Sequence, residues 1–347
     1  MRSMKKILSV FTCGCLMTVG LAGCSGAATS GSAGSEKAYP TKDIQGSVMW
    51  SAGGVCDTVS RSIGGVAQNI LGTNIIFTNR AGSGGAVSTM YVNAQNADGY
   101  QLLFGAENPQ IAKVMGTAEI DYDEFTPINL FCTSYGAVCV SKDSDYNTVE
   151  ELIDDVKARP GEVIMATTGA GGLPETVAAM MSDINGTQPN MVPFDGESEC
   201  MTAIMGGNAD YTIVTLGSAA SFYQSGDIKI LSLIADKAVE GYEEVPYIQA
   251  SYPDYEKYLP WGPFYGVFVK NGTDETIVNT LTNAFSEACQ DESFKELVAA
   301  KGCFVLDLKG DEAVSYLKKY RSTTSWLLYN SGVTETSPEQ FGIEKPE

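Results

Sequence analysis

The sequence predicts an α/β protein of two lobes joined by a hinge of two crossing segments. Three observations carry this. Strand-like and helix-like segments alternate along the chain, the pattern of a largely parallel sheet with right-handed crossovers. A strand, a glycine-rich loop and a helix start follow one another twice in each half. The chain also builds one set of elements, then a second, and then returns to complete the first. Its 347 residues are enough for two domains.

In order, 44–50 reads as a strand. Asp57 suits a helix N-cap, and Val59, Ile63, Val66 and Ile70 fall on one helical face before Gly72 ends it. A second strand is expected over 74–78, a helix over 86–94, and a third strand over 100–104 after the Asp98-Gly99 turn. The stretch 128–140 is apolar without a helical period and reads as one strand running into the second lobe. There Thr148 and Glu151 form a capping box, and the helix they start runs to Arg159, where Pro160 stops it. A strand over 163–167, a helix over 174–183, a strand over 191–194 and a helix ending at Gly206-Gly207 come next. Strands over 210–215 and 228–235 close the second lobe. Residues 242–261, rich in Tyr, Pro and Glu, read as an irregular connection to a return strand at 264–269. Helices are expected over 274–290, 293–301 and 311–329, and the polar tail 332–347 is expected to pack late or fray. The expected partition is 39–134 with 265–347 as lobe one, and 135–264 as lobe two.

The N-terminus reads as a targeting segment. Arg2, Lys5 and Lys6 form a basic head, and the apolar run 7–21 is too short for a stable membrane span. It ends in Leu21-Ala22-Gly23-Cys24, which resembles a bacterial lipoprotein cleavage site. That resemblance implies a signal peptide over 1–23 and lipidation at Cys24. Residues 24–38 are mostly Ser, Gly and Ala, a flexible tether. The mature body is therefore expected to be exported and held by lipid on the extracytoplasmic face of the membrane.

Composition excludes whole classes of chemistry. The chain has no histidine, which removes Ser-His-Asp and Cys-His catalysis and histidine metal ligation. No Cys-x-x-Cys pair and no Gly-Lys-Ser/Thr phosphate loop is present. No catalytic residue, metal or cofactor is expected. The formal charge is −20, and loss of the signal with its three positive charges takes it to −23. Such an acidic surface argues against nucleic acid as a partner. Of nine cysteines, six follow Cys24, and they read as mostly free core thiols. The chain is expected to be a monomer.

What remains is anion binding by the main chain. Helix starts offer unpaired N–H groups and the positive end of the dipole, and glycine lets the backbone approach a ligand. In the first half Trp50, Ser51, Gly53, Gly54 and Asp57 form one such loop and Gly84 belongs to another. Gly53 and Gly54 admit one carboxylate, Asp57 orders the loop, and Trp50 either walls the pocket or packs in the core. In the second half Thr167, Thr168, Gly169, Gly171 and Gly172 receive the other end of the ligand, with Asp195 and Ser198 on the next loop. Glu107 and Asn108 complete the candidate set. Glu107 would repel a carboxylate, so it either points away or meets a ligand that also carries an amine. Arg61 and Arg80 read as structural. An exported hydrolase using carboxylates, or a binding protein of another uptake system for amino acids or other anions, are the alternative readings.

These motifs occur in a known order. Tyr39-Pro40-Thr41-Lys42, Ser51-Ala52-Gly53-Gly54-x-x-Asp57, Asn79-Arg80-Ala81-Gly82-Ser83-Gly84-Gly85 and Ala97-Asp98-Gly99-Tyr100 resemble segments of the substrate-binding proteins of tripartite tricarboxylate transporters. Val192-Pro193-Phe194-Asp195-Gly196, Met205-Gly206-Gly207-Asn208-Ala209-Asp210 and Gly226-Asp227-Ile228-Lys229-Ile230-Leu231 continue the likeness, which spans 39 to about 309. The resemblance implies a periplasmic-binding-protein fold of the second type and a small organic carboxylate held by backbone N–H, hydroxyls and water. It also implies delivery to integral-membrane permease subunits. Three positions depart from it: Ala52 where proline is usual, Cys56 where Ser or Thr is common, and Glu107 where a small or hydroxyl residue is more usual.

Overall fold

The structure is a computed structural model that describes residues 39–168, 171–194 and 196–346. The signal segment, Cys24 and the tether lie outside the described residues, as do the candidates Gly169 and Asp195. The elements of the first half are β1 (Ile44–Val48), α1 (Val55–Leu71), β2 (Ile75–Asn79), α2 (Ala86–Asn93), β3 (Gln101–Ala106), β4 (Phe125–Ser134), β5 (Gly136–Ser141), α3 (Val149–Ala158) and β6 (Ile164–Thr167). Those of the second are α4 (Leu173–Asn185), β7 (Asn190–Pro193), α5 (Glu197–Met205), β8 (Tyr211–Thr215), α6 (Leu216–Ser225), β9 (Ile228–Ile234), α7 (Ile248–Ser251), β10 (Phe264–Lys270), α8 (Glu275–Ala288), α9 (Glu292–Ala300), β11 (Cys303–Leu308) and α10 (Gly310–Asn330).

The strands form two sheets, ordered β11-β4-β10-β3-β1-β2 and β7-β6-β8-β5-β9. In the first, β1 pairs in parallel with β2 and β3. In the second, β6 pairs in parallel with β7 and β8. The predicted α/β class and two-part architecture are therefore present. Each parallel trio places its loops at the C-terminal strand ends, the usual ligand position in open α/β sheets.

Helix α1 shows how sequence becomes packing. Val59, Ile63 and Ala67 are fully buried, and Gly64 sits between them. A Cβ at Gly64 would come within 2.3 Å of Phe77 Cζ, so the helix lies directly on the ring from β2. The buried face rotates onto Gly64 and Ala67, which leaves Ile70, expected on that face, 37% exposed. Each large apolar side chain in such a face contributes about 1.5–3 kcal/mol. Gly72, with φ 66°, closes the helix as expected. Thr148 and Glu151 form the predicted capping box on α3.

Several expectations change. The single strand expected over 128–140 is two strands, β4 and β5, in different sheets with only Tyr135 between them. Ser134 N–H donates to Pro263 O in the first part, while Leu216 N–H donates to Tyr135 O in the second. An apolar run without turn residues hides such a one-residue crossing. Helix α6 and strand β11 were not anticipated; β11 is irregular, with a register shift before Leu308 and a positive φ at Asp307. The tail does not fray. Trp326 Nε1 donates to Ile343 O at 3.2 Å and to Glu344 O at 2.9 Å, and Ile343 is buried against it with Val114.

Helix α10 packs on β4, on α4 and on the 3-10 segment Asn108–Ile111. One buried cluster runs through residues of both sheets, from Leu130 and Val267 to Val138 and Met165. All six later cysteines are buried and unpaired. Among the described residues no helix is long and apolar enough to cross a membrane.

Candidate functional site

The loop after β1 is held open by one carboxylate. Asp57, 5% exposed, accepts from Gly53 N–H at 2.9 Å, Arg61 Nε at 2.7 Å and Asn79 Nδ2 at 2.8 Å. Asn79 Nδ2 also donates to Trp50 O, and Arg61 Nη2 donates to Asn79 Oδ1. Burial pushes the Asp57 pKa up, but the Gly53, Asn79 and Arg61 donors outweigh it and hold it below the usual value. Asp57 is not the N-cap. Gly54 is, with φ −69° and ψ 172°, and Asp57 is the third helical residue reaching back. The reason is Gly53: its φ of 87° turns the chain so that its N–H faces the Asp57 carboxylate.

The loop after β6 repeats this construction. Gly171 has φ 72°, Gly172 is the N-cap of α4 with φ −72° and ψ 171°, and Glu175 at the third helical position accepts the Gly171 N–H. The signal was in the sequence as Gly-Gly-x-x-acid, at Gly53-Gly54-x-x-Asp57 and Gly171-Gly172-x-x-Glu175, although Glu175 was not singled out. In both loops the N–H of the left-handed glycine is spent on its own acid. The donors left for a ligand are those of the N-cap and first turn, Gly54, Val55 and Cys56 in one loop, Gly172 and Leu173 in the other, since Pro174 has none.

The loops of the first sheet converge around Met49. Its sulfur accepts the Ala106 N–H at 3.2 Å, and a Cβ at Gly85 would lie 2.8 Å from the same atom. The 3-10 segments Ser83–Gly85 and Asn108–Ile111 touch each other. Gly84 and Ser51 are exposed, while Trp50, Glu107 and Asn108 are half-buried. In the second sheet Phe194 N–H donates to Thr167 O at 2.8 Å, which brings the ends of β6 and β7 together. Thr167 is buried and Thr168 half-buried. Ser198 is exposed on α5, and its carbonyl accepts Thr202 Oγ1.

The two sets of loops face each other. A Cβ at Gly171 would lie 3.0 Å from Ile111 Cδ1 and 3.2 Å from Met115 Cγ, both beyond the end of β3. Two acids belong to these loops, Glu107 after β3 and Glu197 at the start of α5. Glu197 accepts from Thr215 N–H at 2.8 Å, Thr215 Oγ1 at 2.7 Å and Ser218 Oγ, so it occupies the start of α6. Glu107 is pushed up to about 7 by desolvation, with the charge of Glu197 adding to it and a hydrogen bond from its own backbone N–H opposing it. The charge of Glu107 raises the pKa values of Cys56, Tyr122, Tyr265, Tyr316 and Tyr320, each of which burial raises first. Glu197 and the tyrosines were missed in the sequence because they come from distant segments with no shared motif.

Arg61 and Arg80 are both engaged within the protein. Arg61 is spent on Asp57 and Asn79, and Arg80 lies 3.7 Å over the Tyr91 ring with Nη1 on Ser47 Oγ. Among the described residues no group of three or more Cys, Asp or Glu side chains is placed to hold a metal ion. An open depression of about 600 Å³ lies at Asp183 and Pro253, and its wall is an Asp183–Lys257 ion pair. It sits at the C-terminal end of α4, about 20 Å from the glycine loop at the 1.5 Å rise of a helix. The arrangement at the loops can bind an anion through the main chain.

Residues 59–320 match the family model described as tripartite tricarboxylate transporter family receptor. Protein BugT of Bordetella pertussis is 26% identical over 269 residues, covering 76% of this chain and 81% of BugT. Among solved structures, MatC of Rhodopseudomonas palustris with bound malate superposes with a TM-score of 0.72 at 22% identity, covering 85% of this chain and 99% of MatC. R. palustris Rpa4515 with adipate gives 0.76 at 19% identity with the same two coverages, 85% and 99%. These structures share the two-sheet fold described above.

Proposed function

The chain belongs to the tripartite tricarboxylate transporter receptor family, and from that membership we propose that it is a lipid-anchored extracytoplasmic receptor for a small organic carboxylate. The ligand is captured between the loops of the two sheets and handed to integral-membrane permease subunits. The observation that carries this reading is the helix start built twice, at Gly53-Gly54 after β1 and Gly171-Gly172 after β6, with Gly171 packed against Ile111 and Met115 beyond β3, the strand that pairs with β1. Each leaves unpaired N–H donors pointing out of a helix with its positive dipole end behind them. Such short-range donors attract an anion although the mature chain carries a net charge of −23, because the repulsive field of distant surface charges is screened beyond about 8–10 Å. MatC and Rpa4515 hold malate and adipate, which supports a dicarboxylate-sized ligand. The basic head, apolar run and Leu21-Ala22-Gly23-Cys24 support the anchor.

The protein acts as a receptor in this account, with specificity set by shape and hydrogen bonding rather than by reaction. A thermal-shift screen with dicarboxylates, tricarboxylates, aromatic acids and amino acids tests it. A ligand at 100 times its dissociation constant adds about 2.7 kcal/mol. A stabilising acid whose effect saturates supports the reading, and a screen in which no acid shifts the melt counts against it.

A further inference from the structure

Glu107 is a half-buried carboxylate that no cation among the described residues neutralises. It follows β3 directly, and extension of the β3 registers sets it level with Ser51 of the first glycine loop on one side and Phe264 on the other. It sits at the N-cap position of the segment Asn108–Ile111 yet makes no capping hydrogen bond. Its side chain takes a hydrogen bond from its own backbone N–H, and among the described residues no cation pairs with it. The cations that might have served are committed: Arg61 to Asp57, Arg80 to Tyr91 and Ser47, and Lys113 to Asp121 and Glu124. Glu197, its acidic neighbour, is by contrast fully engaged by Thr215 and Ser218.

A desolvated carboxylate without a cationic partner is unfavourable, and a second carboxylate brought beside it would be more so. A cation removes both problems. We propose that Glu107 accepts a protonated amine of the ligand, so that the cleft takes an amino-bearing organic acid in preference to the matching acid without the amine. This assignment rests on the carboxylate reading of the helix starts: those donors take the acid group, and Glu107 takes the amine. Ionisation supports it. Desolvation and the charge of Glu197 hold Glu107 near 7 against the hydrogen bond from its own backbone N–H, and the titratable groups that feel its charge, Cys56 of α1, Tyr122, Tyr265 of β10 and Tyr316 and Tyr320 of α10, supply no positive charge. An arriving ammonium lowers that value and expels a proton, whereas an arriving carboxylate raises it and takes one up.

The test is calorimetry on the full chain with three matched pairs: succinate and aspartate, glutarate and glutamate, adipate and 2-aminoadipate. The amine-bearing member of at least one pair should bind about 10- to 100-fold tighter than its partner, the range for a hydrogen bond between charged groups. At pH 7, in buffers of different ionisation heat, its binding should release protons. Glu107→Gln keeps the shape and should erase the preference by weakening only the amine-bearing acid. If that variant loses its cooperative melt, the pairs and the proton count on the unaltered chain decide alone. Tighter binding of the plain diacid in every pair, or proton uptake with the amine-bearing acid, overturns the assignment while leaving the carboxylate site standing. Failure of all six acids to bind a folded chain overturns both.

Discussion

Asp57→Asn is the most informative single change in the fold of the site. The carboxylate has three donors, Gly53 N–H, Arg61 Nε and Asn79 Nδ2, at 2.7–2.9 Å, and its side chain is 6% exposed. Asparagine keeps one acceptor oxygen, loses the charge, and presents an N–H₂ group to donors. Arg61 is 43% exposed, so water partly compensates it, whereas Gly53 N–H and Asn79 are less free to find water. A hydrogen bond to a charged group is worth about 1.5–3 kcal/mol, and with one bond retained and one rehydrated the net loss is about 2–3 kcal/mol. The melting temperature should fall by roughly 3–5 °C. The pH dependence gives the sign. The folded pKa of Asp57 lies below its unfolded value, so its contribution is complete above the unfolded pKa of about 3.9 and is lost as pH falls through the folded one. Denaturant unfolding of both proteins at pH 7, 5 and 3.5 should show a constant gap at the first two values and a smaller one at the third. An asparagine variant as stable as the parent at pH 7, or a gap that widens in acid, refutes the argument.

The two left-handed glycines separate strain from crowding. Gly53→Ala has no atom within 4 Å of the new Cβ and should cost about 1–2 kcal/mol through its φ alone, whereas Gly171→Ala adds contacts at 3.0 and 3.2 Å to Ile111 and Met115. Thermal melts should therefore rank Gly171→Ala as the more damaging; equal losses would mean that the facing loops yield without resistance. Arg61→Gln should weaken ligand binding less than either, by calorimetry, because its guanidinium serves Asp57 and Asn79. Cys24→Ser should release the processed protein from bacterial membranes, and a variant that still sediments with lipid would exclude Cys24 as the anchor.

Much of the fold was legible because local rules decide it. Alternating periodicities placed most strands and helices within a few residues, and Gly72, Thr148 and Glu151 act as their chemistry dictates. What escaped depends on partners distant in sequence. The β4–β5 crossing at Tyr135 has no turn residue to mark it, and the tail contact of Trp326 with Ile343 needs the packed helix α10 to exist. In the site, the glycine loops were readable, and so was the structural role of Arg61. The position of Asp57 was shifted by three residues, since an acid near a helix start serves equally as N-cap or as third residue reaching back. Glu107 was readable as an oddity, but its lack of a cationic partner, and the pairing of Glu197 with Thr215 and Ser218, appear only when both sheets are in place.

A crystal structure with an acid found in the ligand screen tests the central claim most directly. The account predicts one carboxylate within 2.7–3.2 Å of main-chain N–H groups among Gly54, Val55 and Cys56 or among Gly172 and Leu173, directly or through one water, between the two sheets. An acid held instead by lysine or arginine side chains, or bound away from both glycine loops, would contradict it.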